Sequence, residues 1–178
     1  LNRNKKGEDI PLVIIAGWSG SGKTTFLEKL IPEFRKRDLR VGAIKHHHGE
    51  FELDRPGKDS WRHKEAGAEI TLISSPEKIG MIMDMDHNPG IDELTPYLLN
   101  MDIIVVEGYK GAKKPKVEIF RSAVHDKPRF LDDPDLIAIV SDIDLTLNIP
   151  AFRLDDVEGL ANFLIQYFEL DKKKTNSE

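Results

Sequence analysis

From the residues alone an α/β architecture is expected, with a mostly parallel central sheet between helical layers and some antiparallel strands. Three observations lead there. PLVIIA, DIIVVE and LIAIVSD are short apolar runs rich in β-branched residues, the pattern of strands buried on both faces. Segments with apolar residues at helical spacing lie between and after them. The stretch from Gly17 to Thr25, GWSGSGKTT, fits G-x-x-x-x-G-K-[ST] where a strand passes into a helix. Together they define a three-layer sandwich of the P-loop NTPase kind.

The first strand, PLVIIA, feeds the glycine-rich loop, and FLEKLI after it opens a helix from about Thr24 to Arg37. Backbone N–H groups and the positive end of the helix dipole then converge on one anion. In this reading Gly17, Ser19, Gly20, Ser21, Gly22, Lys23, Thr24 and Thr25 bind the phosphates of a nucleotide. Lys23 reaches the β- and γ-phosphates, and the Thr24 hydroxyl binds Mg²⁺. Phe26, Leu27, Leu30, Ile31 and Phe34 form the buried stripe, and Pro32 is expected to kink or break the helix.

RVGAIK forms a second strand that delivers Lys45, His46 and His48 to the edge of the sheet where ligands sit. Residues 49–60 read as a loop placed where a nucleotide-sensing switch belongs. A helix from Asp59 to Ala66 follows, then EITLIS and KIGMIMDM. The short SSPEK turn makes these two an antiparallel hairpin, expected to bring antiparallel pairing into the sheet. Ile91 to Leu99 is a further helix.

DIIVVEGYKG is a central strand that delivers Glu107 and Gly108 to the ligand edge. A carboxylate there can serve Mg²⁺ or orient an attacking water. The alternative is an ordinary solvated strand end. Asp54 could complete the metal shell from the loop, with Asp59 the second choice. PKVEIFR reads as a half-exposed strand, LIAIVSD as a buried one, AFRL as a short last one, and Asp155 to Phe168 as a helix.

Lys110, Lys116 and Arg121 are candidates to meet an anionic substrate or partner, against the simpler reading of a solvated face. For His46 and His48, alternation along a strand brings only two imidazoles to one face. A complete zinc site is therefore not expected, whereas a phosphate-facing or loop-positioning role is. The guanine-reading N-K-x-D motif is absent. Asp142, or Asp144 two residues on, is the carboxylate placed to accept from guanine N1–H and N2–H. No arginine finger or water-orienting Gln follows DIIVVEG, so catalysis by Lys23, Glu107 and Asp54 would be slow.

The 178 residues suit one nucleotide-binding domain over residues 10–170, with a flexible segment at 1–9 and a disordered tail at 171–178. A net charge of −5 gives no general basic field, and nucleic acid is not an expected partner. The absence of cysteine excludes disulfides and Cys₄ zinc sites and is compatible with a reducing cytoplasm. No apolar run reaches transmembrane length, and the first residues resemble no secretory signal or membrane anchor.

Taken in order, the P-loop, IKHHHGEFELDRPGKDS, DIIVVEGYKGAKKPKVEIFR, AIVSD and LDDVEGLANFL resemble the MobB family of molybdopterin guanine dinucleotide biosynthesis, over about Pro11 to Phe168. The resemblance implies a homodimeric, cytoplasmic GTP- and Mg²⁺-binding adapter with at most slow GTPase activity. It implies a molybdopterin guanylyltransferase as partner, with other molybdenum cofactor biosynthesis proteins as further partners. Two other classes fit the same P-loop: a small-molecule kinase, and a metal-delivery GTPase drawing on His46 to His48.

Overall fold

The computed structural model describes residues 10–171 apart from 48, 50, 52 and 53. The segment expected to be flexible at 1–9, residues 172–178 of the expected tail, and His48 lie outside the described residues. The chain divides into two compact units, residues 1–46 with 94–178, and residues 47–93. A single domain was the expectation. The division has a physical reason: every member of the main hydrophobic cluster belongs to the first unit, whereas the buried residues of the second are few.

The first unit is a six-stranded sheet in the order β2-β5-β1-β6-β7-β8. Its strands are β1 (Leu12–Ala16), β2 (Val41–Lys45), β5 (Ile103–Glu107), β6 (Lys116–Phe120), β7 (Leu136–Ser141) and β8 (Ala151–Arg153). All pairings are parallel. The central strands β1 and β5 are buried along their whole length, as unbroken apolar runs require. The helix α1 (Lys23–Lys36) turns Phe26, Leu27, Leu30 and Phe34 inward, and α4 (Val157–Tyr167) turns in Leu160, Ala161 and Leu164. Asp156 caps α4 by accepting from the Gly159 N–H at 3.0 Å.

Three expectations are corrected. Pro32 does not break α1, which runs through it as one helix of 14 residues. Pro32 itself faces solvent, and burial of the stripe on either side holds the helix together across the one N–H that the proline removes. β6 is fully buried rather than half-exposed. Its Lys116 and Glu118 are 1% and 0% exposed because each finds a partner inside. The antiparallel hairpin exists, but as a sheet of its own.

That hairpin lies in the second unit and joins β3 (Ile70–Ser74) to β4 (Ile79–Met83), with Leu72 opposite Met81. The helix α2 (Asp59–Glu65) precedes it, and Ile70, Leu72 and Ile79 on its strands are exposed. The short helix α3 (Ile91–Leu94) passes directly into a 3-10 turn at Thr95–Leu98 that contains Pro96, where one longer helix was expected.

Candidate functional site

Gly17 opens the loop between β1 and α1 with a φ of 135°, and a Cβ there would lie 2.4 Å from the Ile119 carbonyl oxygen. Only glycine fits this combination of backbone angle and close approach. The loop ends at Gly22, the N-cap of α1. No side chain caps this helix and no acid occupies its first turn, so its N–H groups and dipole remain available to an anion.

The register of the sheet sets the opposite wall. Glu107 ends β5 level with Ile15 of β1 on one side and Lys45 of β2 on the other. Its carboxylate joins the two elements: Oε2 accepts from the Thr24 hydroxyl at 2.9 Å, and Oε1 accepts from the Lys45 ammonium. Of the three residues read from sequence as metal ligands, Thr24, Glu107 and Asp54, the first two are thereby in direct contact. A hydroxyl and a carboxylate beside an uncapped helix N-terminus are hard oxygen donors suited to Mg²⁺. Lys45, a candidate substrate contact, serves here as the counter-charge of Glu107.

Lys23 folds back on its own loop. Its ammonium donates to the Trp18 carbonyl at 2.6 Å and to Gly17 at 3.3 Å. Burial pushes its pKa below the ordinary lysine value. The charges of Lys45, Lys110 and Arg129 push the same way, against the pull of Glu107. This concentration of positive charge is what an incoming polyphosphate would neutralise. Ser21 is buried within the loop, and its Oγ has no hydrogen-bond partner among the described residues. Ser19, Gly20 and Thr25 are exposed around it.

The other candidates divide. The His46 ring lies tilted against Tyr109, ring centroids 4.2 Å apart, and the His46 backbone N–H donates to the Glu107 carbonyl at 2.8 Å. His46 therefore packs at the turn after β5, where Gly108 leaves no room for a Cβ and Tyr109 has a φ of 45°. Among the described residues, no group of three or more His, Asp or Glu side chains is arranged to hold a metal. Asp54 belongs to the second unit, where its Oδ1 accepts from the Arg55 N–H at 2.8 Å and the Ser60 hydroxyl at 3.0 Å. Asp142 accepts from the Ser122 N–H at 2.8 Å, and that bond holds its pKa below the usual carboxylate range.

Lys116 is corrected from partner contact to internal cation, paired with Asp133 at 3.1 Å and Asp135 at 3.4 Å. Lys110 and Arg121 remain on the surface. The Arg121 Cδ lies 3.9 Å from where a Cβ on Gly22 would be.

The residues missed in the sequence are Trp18, Glu118, His125 and Arg129. Trp18 occupies a variable position of the motif, where an aromatic carries no signal of its own. Its ring stacks on His125 at 4.6 Å and lies 4.6 Å from the Arg129 guanidinium carbon.

Sheet order, glycine loop and the Thr24–Glu107 contact define an α/β domain of the P-loop NTPase fold. The profile of the family described as molybdopterin guanine dinucleotide synthesis protein B matches residues 12–142, and the chain belongs to that family, MobB. It is 38% identical over 168 residues to the molybdopterin-guanine dinucleotide biosynthesis adapter protein of Escherichia coli, covering 90% of this chain and 94% of that one. The Haemophilus influenzae adapter protein of the same name is 35% identical, with 87% and 88% covered. Among solved structures, the crystal structure of a molybdopterin-guanine biosynthesis protein B superposes with a TM-score of 0.71 at 28% identity, covering 88% of this chain and 99% of the other. Bacillus subtilis MobB gives a TM-score of 0.70 at 26% identity, with 88% and 97% covered.

Proposed function

We propose that this chain is a GTP-binding adapter in the formation of molybdopterin guanine dinucleotide, acting as a homodimer beside a molybdopterin guanylyltransferase. The relatives that carry the adapter name support the pathway. The observation that carries nucleotide dependence is the contact of Thr24 with Glu107 at the uncapped start of α1. In this reading the loop N–H groups hold the phosphates, and Lys23 leaves the Trp18 carbonyl to meet them. Thr24 and Glu107 are the residues that would hold Mg²⁺, which would supply charge neutralisation of the phosphate oxygens. Asp142 reads guanine. The exposed Ile70, Leu72, Ile73 and Ile79 of the hairpin offer apolar surface for a second copy to cover.

No glutamine or second carboxylate is paired with Glu107 to orient water among the described residues, so hydrolysis without a partner is expected below about 1 s⁻¹. The test is equilibrium binding of GTP, GDP and ATP with Mg²⁺, together with dinucleotide synthesis by a guanylyltransferase with and without this protein. Binding of GTP in preference to ATP and a GTP-dependent gain in product are expected. Absence of both would leave a generic nucleotide-binding domain. Asp142→Asn keeps an oxygen for Ser122 and should narrow the preference for GTP; unchanged discrimination removes Asp142 from that role.

A further inference from the structure

The segment after β6 lies across the phosphate loop, and the candidate machinery above leaves it without a task. The side chains of Val124 and Arg121 come within 4 Å of where side chains on Gly20 and Gly22 would begin. The Trp18 indole N–H donates to the Lys127 carbonyl at 3.1 Å. His125 and Arg129 both stack on the Trp18 ring.

The far end of this segment is fixed from below. Glu118, wholly buried in β6, accepts from the backbone N–H groups of Arg129 at 2.6 Å and Phe130 at 2.9 Å. A buried carboxylate spent on two backbone donors is an expensive way to hold a surface turn, unless the position of what the turn carries matters. It carries the Arg129 guanidinium, which is exposed and forms no salt bridge among the described residues. Trp18 ties this cation to the loop lysine: its ring supports Arg129 while its carbonyl receives the Lys23 ammonium.

Resting on the nucleotide-binding reading above, we infer that Arg129 is a phosphate-binding cation of the same site, delivered in cis by the turn that Glu118 anchors and braced against Trp18. The Trp18 and Phe130 rings lie 4.6 and 5.6 Å from the guanidinium carbon and brace the cation; a guanidinium held in this way can meet phosphate oxygens in bidentate fashion. Glu118 is the positioning residue behind it. The ligand is the polyphosphate chain and not the base.

The test is competition binding on the full chain, with a fluorescent GTP analogue displaced by GTP or by inorganic tripolyphosphate in the presence of Mg²⁺. Arg129→Ala should weaken both competitors by about tenfold to a hundredfold, the range for a lost charged hydrogen bond. Arg129→Lys should restore part of that loss. Lys127→Ala should bind as the parent does, because Lys127 meets Trp18 only through its backbone. Should Arg129→Ala melt at a lower temperature, Arg129→Lys, which keeps the charge, decides the question. Unchanged affinity in Arg129→Ala overturns the inference and leaves the nucleotide reading standing, as does a loss confined to GTP with tripolyphosphate unaffected. Failure of the parent protein to bind either compound overturns both.

Discussion

Lys23 stands in a field that its own neighbours make unfavourable. Burial, followed by the charges of Lys45, Lys110 and Arg129, outweighs the attraction of Glu107, so the protonated form is disfavoured in the free fold. The sign of the linkage follows. Protonated Lys23 costs the fold stability at neutral pH, and that cost is relieved as pH rises through its lowered pKa toward the ordinary value of 10.5. A bound polyphosphate acts in the opposite direction, raising the pKa again. Nucleotide affinity should therefore be flat below the lowered pKa and fall as pH rises above it, with proton uptake on binding. Calorimetry at a series of pH values up to the ordinary lysine value of 10.5, each in two buffers of different ionisation enthalpy, measures that uptake directly; none at any pH in the parent would contradict the account.

Single residues also show what could be read in advance. An acid directly after four apolar residues announced Glu107, and the glycine spacing announced the loop, because both signals are local. Trp18 and Arg129 gave none, since their meeting depends on how β1 and β6 are placed side by side. Lys116 and Glu118 were misread for a related reason. Charges alternating with apolar residues imply one wet face, and nothing in β6 itself reveals that Asp133, Asp135 and two backbone donors wait inside.

The buried charges of β6 make that strand behave asymmetrically under substitution. Lys116 is 2% exposed in its side chain, whereas Asp133 and Asp135 are 22% and 33% exposed. Removing the cation as Lys116→Met leaves two carboxylates that water can reach, with a cost within about 1 kcal/mol. Removing the anions together as Asp133→Asn with Asp135→Asn leaves a buried ammonium without its counter-charges, at a cost of about 3–5 kcal/mol. Urea unfolding of the two variants distinguishes these values. Equal costs would mean that strand packing, and not the charge, sets the stability of β6.

The hairpin and α2 stand at the other extreme. Alternation and the short turn made β3 and β4 readable as a pair, yet their membership of a separate sheet was not, because pairing partners are a property of the assembled chain. Few of their side chains are buried, while the hydrophobic cluster of the first unit takes in β1, β5, β6, β7 and both long helices. Amide hydrogen exchange should therefore protect β1, β5 and β7 at the free energy of global unfolding and release β3 and β4 well before it. Uniform protection across both units would show that residues 47–93 unfold only with the rest.

The strand order carries a consequence for synthesis on the ribosome. β1 and β2 are not neighbours; β5 lies between them and supplies the parallel partner of each on that side. Neither can find that partner until the chain has grown about sixty residues beyond β2, roughly 3–12 s at ordinary elongation rates. During that interval two apolar strands with open edges must wait, while the intervening hairpin, whose pairing is local, is free to form first. The nascent chain of this protein is thus exposed to misassociation over a defined window that closes when Glu107 emerges. Glu107, whose carboxylate meets Thr24 at the start of α1, is also the last residue of the strand that closes the sheet.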